Sequence, residues 1–280
     1  MGCPNSKDCR VKTLNKAKVL DIDFTDLPGQ SSLITNRRVT ENYIVKRIIG
    51  SGSFSDVFEA EERETKLPFA IKRIQIKSEY IRDMFVFEKK ALRHVNHPNI
   101  IQLKEVISTL TNAFIVMEFA TGGDLFERIR ESYDKRLTLD ESQRVTRMIA
   151  DALSYLHGIG ITHRDLKAEN VLYYSPGPSR VLLSDFGFAS LRGRDSVLTT
   201  YCGTQEYLSP ELTSKRPYTN KVDIWAFGCL VYVMLSGRLP WSGLDIKDKI
   251  CNIKHSYSDK VCSSRYYHMF MFMFYIFSIS

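Results

Sequence analysis

Between Ile161 and Leu172 the chain reads ITHRDLKAENVL, which packs His163, Arg164, Asp165, Lys167, Glu169 and Asn170 into one run bounded by apolar residues. An aspartate two residues before a lysine and five before an asparagine suits one chemistry, the transfer of a phosphoryl group from ATP to a hydroxyl. That reaction needs positioning and charge neutralisation more than covalent help. Asp165 would accept or orient the hydroxyl proton, and Lys167 would sit against the moving phosphate. Asn170 would offer an oxygen to Mg²⁺, a hard cation that takes an octahedral oxygen shell. These roles require a tight loop leading into a strand at VLYY. Taken alone, the run reads equally well as a polar surface turn.

Other segments shift that balance. GSGSFSDV, Gly50 to Val57, offers Gly50 and Gly52, whose missing side chains let backbone amides approach phosphates, although a Gly-x-Gly by itself marks any hairpin. FAIK contains Lys72, and Glu88 follows on a helical stretch, where its plain reading is a solvated glutamate. DFG supplies Asp185, a second carboxylate for Mg²⁺, and SPE places Ser209, Pro210 and Glu211 further on. HRDLKAEN itself satisfies H-R-D-L-x-x-x-N in full.

In this order, these segments resemble the eukaryotic protein kinase family, and the resemblance covers about Tyr43 to Lys254. Lys167 and Thr204, the latter in CGTQEYLSPE, look like the serine/threonine class, where such a threonine braces the aspartate and the lysine. The loop YYSPGPSR and the segment TGGDLFERI are similar to the calcium/calmodulin-dependent kinase group. GSFS, ATGG, GITHRDLKAENVLYY and RPYTNKVDIWAFG are most similar to the protein serine kinase H subfamily. Ser55 replaces the usual third glycine and Ala168 a usual proline; neither removes a chemical group. The resemblance implies an α+β, bilobal fold, with a small β-rich lobe over 41–117, a hinge over 118–121 and a mainly helical lobe over 122–254. It implies ATP and Mg²⁺ as cofactors and proteins with Ser/Thr acceptors as substrates.

Residue by residue, the resemblance puts Lys72, paired with Glu88, against the α/β-phosphates and gives Asn170 and Asp185 the metal. Ile49, Val57, Ala70 and Leu172 would enclose the adenine, with Met117 behind it and the backbone of Glu118 and Ala120 along its edge. Leu92, Leu103, Phe186 and His163 would stack into a spine, and Asp223 would hold the loop around His163 and Arg164. Asp124 would touch the ATP ribose or, with Glu169, hold a substrate arginine upstream of the acceptor through charge-assisted bonds. A phosphate on Thr200, with Thr199 the runner-up, would neutralise Arg164 and order the activation segment.

The elements needed to position these groups are readable from periodicity. YIVKRII, SDVFEAEE, PFAIKRIQI, IIQLKEVI and NAFIVMEF read as strands, and SEYIRDMFVFEKKALRHV as a helix that HPN breaks. DLFERIRESY and LTLDESQRVTRMIADALSYLHGIG read as helices, the second opened by a Thr138/Glu141 capping box and ended by Gly158 and Gly160. VLYY and RVLLSDF form a hairpin across Ser-Pro-Gly-Pro, and another helix starts near Asn220.

The chain has 280 residues, 44% hydrophobic and 25% charged, enough for two lobes, and a net charge of +7. No basic stripe with interleaved aromatics marks a nucleic-acid surface. The six cysteines, Cys3, Cys9, Cys202, Cys229, Cys251 and Cys262, include no Cys-x-x-Cys pair and read as reduced thiols of a cytosolic protein. His94 and His97 lack further ligands nearby and read as a plain pair at a helix end. Residues 1–40 read as a flexible segment whose start, MGCPNSK, fits myristoylation at Gly2, with Cys3 open to palmitoylation. One acyl chain binds membranes marginally, so Cys3 or the nearby lysines would complete an anchor on the cytosolic face. From 255 the sequence departs from the family and ends in an apolar Met/Phe/Tyr run. The expectation is a truncated helical lobe in which Glu211 lacks its usual arginine, and calmodulin control has no visible segment. The alternative is a kinase-like scaffold acting as a membrane-anchored adaptor without turnover.

Overall fold

The computed structural model describes residues 39–52, 55–109, 111–191, 197–241, 243 and 245–251. Gly2, Cys3 and the apolar C-terminal run lie outside them. The chain forms two compact units. The first comprises the described residues up to Asn96 together with Ile101–Ala120, and the second comprises His97–Ile100 and the described residues from Thr121 on.

In the first unit a short helix α1 (Val39–Asn42) leads into β1 (Tyr43–Ser51). β2 (Ser55–Glu62), β3 (Pro68–Gln75), helix α2 (Glu79–His94), β4 (Leu103–Ser108) and β5 (Asn112–Glu118) follow. The five strands make an antiparallel sheet in the order β1-β2-β3-β5-β4. Side chains alternate between faces along each strand. Ala60, Ile71, Ile107, Phe114 and Val116 therefore share a buried cluster with Val39 and Tyr43. Their neighbours Ala70 and Lys72 belong to the opposite face, in register with Met117 and Ile115 of β5, while Val57 of β2 stands opposite Lys72.

Helix α2 is capped by Ser78, whose hydroxyl accepts from the Ile81 amide at 3.3 Å. Ile81, Phe85 and Leu92 recur at helical spacing on its buried stripe, and Glu88 lies on that same stripe. The expected strand IIQLKEVI begins only at Leu103. Ile100 belongs to the second unit, where it bridges Leu183 in parallel.

The second unit contains helices α3 (Leu125–Glu131) and α4 (Leu139–Gly158), and four short strands. The strands are β6 (Ile161–Thr162), β7 (Val171–Tyr173), β8 (Val181–Leu183) and β9 (Ser190–Leu191). Helices α5 (Pro210–Thr213), α6 (Lys221–Ser236) and α7 (Ile246–Cys251) complete it. β7 and β8 form the expected hairpin. β6 and β9 also pair, although two residues per strand leave no periodicity to detect. Half of the expected capping box is present: Thr138 Oγ1 accepts from the Glu141 amide at 3.3 Å. The Glu141 carboxylate instead accepts from Arg128 at 3.0 Å and from the Tyr173 hydroxyl at 2.9 Å. α6 is buried almost all round, as a helix apolar on every face must be. Among the described residues no helix is long and apolar enough to cross a membrane.

Both histidines at this helix end have partners within the protein. His94 Nδ1 lies 2.7 Å from the Lys90 carbonyl, while His97 accepts from the Asn99 amide at 3.1 Å and stacks against Tyr155. Glu211, in the first turn of α5, is half-buried.

One glycine is fixed by close approach rather than by turn geometry. Gly122 donates to the Tyr173 carbonyl at 3.0 Å, and a Cβ there would stand 2.5 Å from the Ser175 carbonyl oxygen. Gly122→Ala must push the 121–124 segment off β7. Urea denaturation is expected to show a loss of about 2 kcal/mol, the usual cost of overpacking.

Candidate functional site

The candidate residues form two constellations, one in each unit. In the first, Lys72 Nζ donates to Glu88 Oε1 at 2.7 Å, with only 12% and 4% of the two side chains exposed. On residue type alone Glu88 reads as a solvated helical glutamate. Its place on the apolar stripe of α2 settles the matter, because a carboxylate withdrawn from water needs an ion partner. Val57, Ala70 and Met117 share the sheet face of Lys72. A bulge between Ile48 and Gly50 leaves Ile49 without a cross-strand partner, 37% exposed.

This unit fits a nucleotide on two counts. A Cβ on Gly50 or Gly52 would meet only ordinary contacts, 3.7 Å from Val57 and 3.6 Å from the Ser55 carbonyl. Internal packing therefore does not demand glycine there, whereas close approach of a phosphate to the backbone does. The Ala120 amide and carbonyl make no hydrogen bond among the described residues. The Glu118 amide is committed to the Gln102 carbonyl at 3.0 Å.

In the second unit, a short run of backbone carries most of the charge. Asp223, in the first turn of α6 and 1% exposed, accepts from the amides of His163 and Arg164, both at 2.8 Å. His157 Nε2 also lies 2.8 Å from this carboxylate. The fully buried His163 ring lies 3.0 Å from the Ser184 carbonyl and packs edge-on against Phe186 at 5.0 Å. These two are the members of the expected spine that belong to this unit; Leu92 and Leu103 belong to the other. Arg164 and Asp185 both take left-handed backbone, with φ of 69° and 61°. Non-glycine residues seldom adopt it, and they persist there only where surrounding bonds impose it.

Around Asp165 the polar atoms close into a ring. Thr204 Oγ1 donates to Asp165 Oδ1 at 2.8 Å, and Lys167 Nζ donates to Asp165 Oδ2 at 2.8 Å and to Thr204 Oγ1 at 3.0 Å. Asn170 Nδ2 donates to the Asp165 carbonyl at 2.8 Å and to Oδ2 at 3.1 Å. The Asn170 amide is thereby oriented, and its Oδ1 accepts no hydrogen bond among the described residues. An oriented amide oxygen and the Asp185 carboxylate suit Mg²⁺, which keeps most of its shell as phosphate and water oxygens. Among the described residues there is no cluster of three His, Cys, Asp or Glu side chains able to hold a metal. A buried carboxylate held by three donors can take a proton from a hydroxyl, and the adjacent ammonium can neutralise a phosphate.

Burial by itself pulls the Lys167 ammonium down, but Asp165, then Asp185 and Glu169, outweigh it and raise its pKa above the usual lysine value. Asp124 behaves oppositely to a paired carboxylate. Burial lifts its pKa, the Glu127 amide at 2.8 Å lowers it, and the like charges of Glu127 and Glu169 lift it further. Asp124 caps α3, and its backbone bridges Leu172 of β7. Glu169 is exposed and has no ion pair among the described residues.

Residues 43–270 match the protein kinase domain family. The chain belongs to the protein kinase family. The match runs past Lys254, where the resemblance read from the motifs stopped. The chain is 46% identical over 229 residues to human serine/threonine-protein kinase H1, covering 79% of this chain and 53% of that protein. It is 42% identical to human serine/threonine-protein kinase H2 over 79% of this chain and 58% of that protein. It is 38% identical to calcium/calmodulin-dependent protein kinase type 1 of Macrobrachium nipponense, over 82% and 64% respectively. The chain spans about half the length of the first of these curated relatives.

Several contributors escaped the motif reading. Tyr218, buried, accepts from Arg164 Nη1 at 3.1 Å, and Arg164 Nε donates to the Phe188 carbonyl. His157 and Ser184 likewise tie the loop from a distance. None has a local signal, since each acts on a residue more than five positions away.

The Lys167 ion pair sets a pH window. A lysine whose folded pKa exceeds its unfolded value near 10.5 contributes stability that is fully present below that value and is lost as pH rises through the folded one. The stability difference between the parent and Lys167→Met is therefore expected to stay constant from pH 7 to pH 10 and to narrow only above about 10.5. Chemical denaturation across that range checks it.

Proposed function

We propose that this protein transfers the γ-phosphoryl group of ATP to serine or threonine hydroxyls of other proteins. The Asp165–Lys167–Thr204–Asn170 ring carries this reading. Asp165 accepts the proton of the acceptor hydroxyl, and Lys167 neutralises the moving phosphate while remaining paired to Asp165. Asn170 and Asp185 hold Mg²⁺, which when bound draws charge from the phosphate oxygens. Lys72, fixed by Glu88, takes the nucleotide phosphates. Ile49, Val57, Ala70 and Met117 of the first unit meet the adenine, with the backbone of Glu118 and Ala120 along its edge. Asp165→Asn keeps the fold but removes the proton acceptor. Labelled phosphate transfer to a serine peptide is expected to fall about 10³-fold. A parent no more active than this variant would turn the reading towards a scaffold without turnover.

The substrate class is read from Asp124 and Glu169. Burial and the like charges of Glu127 and Glu169 raise the proton affinity of Asp124; such a carboxylate is completed by a cation, and a guanidinium meets it with charge-assisted bonds. We infer a preference for arginine upstream of the acceptor. Asp124→Asn retains a cap for α3, so stability is expected to hold while kcat/KM for arginine-bearing peptides falls about tenfold and that for arginine-free peptides stays unchanged. Equal losses on both peptide sets would assign Asp124 to the ribose instead. MGCPNSK at the start of the chain supports acylation at Gly2 and Cys3, with attachment to the cytosolic face of membranes.

A further inference from the structure

The activation segment between Ser190 and Ser209 is expected to need a phosphate on Thr200 to engage Arg164. In the structure, Arg164 is already engaged. Its Nε donates to the Phe188 carbonyl and its Nη1 to the Tyr218 hydroxyl, and Tyr218 in turn donates to the Thr200 carbonyl. A continuous path thus runs from the loop that carries Asp165, through a guanidinium and a phenol, to the backbone at the residue expected to be phosphorylated.

The phenol is fixed from both sides. Tyr218 is 3% exposed and packs with Leu198, Leu212 and Val222 in one buried cluster. Its backbone exchanges two hydrogen bonds with Leu198, at 2.7 and 3.0 Å, so the segment just before Thr199 is tied to the same residue. Burial raises the pKa of the hydroxyl against the opposing pull of Arg164, which keeps it protonated and able to donate. Just past Thr200, Gly203 adopts a φ of 108°, and a Cβ there would stand 2.7 Å from the Arg164 carbonyl. The segment therefore lies directly against the loop at that point. One residue later, Thr204 joins the Asp165 ring.

We propose that Tyr218 is a positioning residue that does the work of an activation-segment phosphate, so that Asp165 and Thr204 are aligned without phosphorylation. It acts through Arg164 and touches neither substrate nor nucleotide. The inference rests on the kinase reading above. A phosphate on Thr200 would supply Arg164 with a stronger acceptor at the same end of the path, and so would make the phenol dispensable rather than add to it.

Tyr218→Phe removes one hydroxyl from a buried ring and leaves the apolar cluster intact. Two measurements on the full chain test the proposal. In phosphatase-treated protein, kcat for a serine peptide is expected to fall about tenfold in Tyr218→Phe, the worth of one hydrogen bond to a charged group, with KM for ATP and the melting temperature unchanged. Phosphothreonine installed at position 200 is expected to restore the variant while raising the parent less than twofold. A ring that merely packed would leave turnover unchanged in Tyr218→Phe, because phenylalanine keeps the same packing with Leu198, Leu212 and Val222. Hydrogen exchange of the unphosphorylated proteins decides independently of turnover. Faster exchange over 198–204 in the variant, with α6 unchanged, upholds the tether, and identical exchange overturns it. A variant as active as the parent, or a parent that needs the phosphate for activity, overturns it as well. An inactive parent whose variant still exchanges faster would count against the kinase reading alone.

Discussion

The organisation of the second unit depends on a carboxylate that never meets water. Asp223 projects from the first turn of α6, where the helix dipole favours negative charge, and its two oxygens accept the amides of His163 and Arg164. A buried anion is tolerable only when its lone pairs are filled, and here two backbone donors and His157 fill them. The bond pair also imposes the left-handed turn at Arg164. From that turn follow the inward setting of His163 and the access of Lys167 and Asn170 to the oxygens of the buried Asp165. Local strain at a working loop is thus held in place by a helix whose own burial is nearly complete.

Charge is distributed unevenly around this anchor. Lys72 and Lys167 each sit against a carboxylate, and Arg164 is spent on a carbonyl and a phenol. The acidic groups are less evenly matched, since burial and the like charges of Glu127 and Glu169 bear on Asp124 with a helix amide as the main compensation. A protein of net charge +7 therefore carries a local acidic surplus beside the loop that bears Asp165. The overall balance says little about the charge of what this face receives, because screening confines such fields to about 8–10 Å.

Much of this arrangement was legible in the sequence because its parts are local. Asp165, Lys167 and Asn170 lie within one turn of chain, so their residue types and spacing already define the ring that they form. The strands around Lys72 show as β-rich runs between turn residues, and the α2 stripe shows why Glu88 turns inward. What was not legible acts across distance or lies below the length at which patterns exist. Tyr218 reaches Arg164 from 54 positions away, and Gly122 is glycine because Ser175 passes beside it. Ile100 looked like the start of a strand because buried bridges and strands share the same apolar types.

The pairing of β6 with β9 has a consequence of its own. Two residues on each side, Ile161 with Leu191 and Thr162 with Ser190, make a ladder far too short to be stable by itself. Its neighbour, the β7–β8 hairpin, pairs three residues on each side across a short connection. The free energy needed to part the two ladders must differ, and the shorter one marks the seam along which the unit comes apart first. A protease sampling such brief openings would find its first cut beside β9 while the hairpin remained whole.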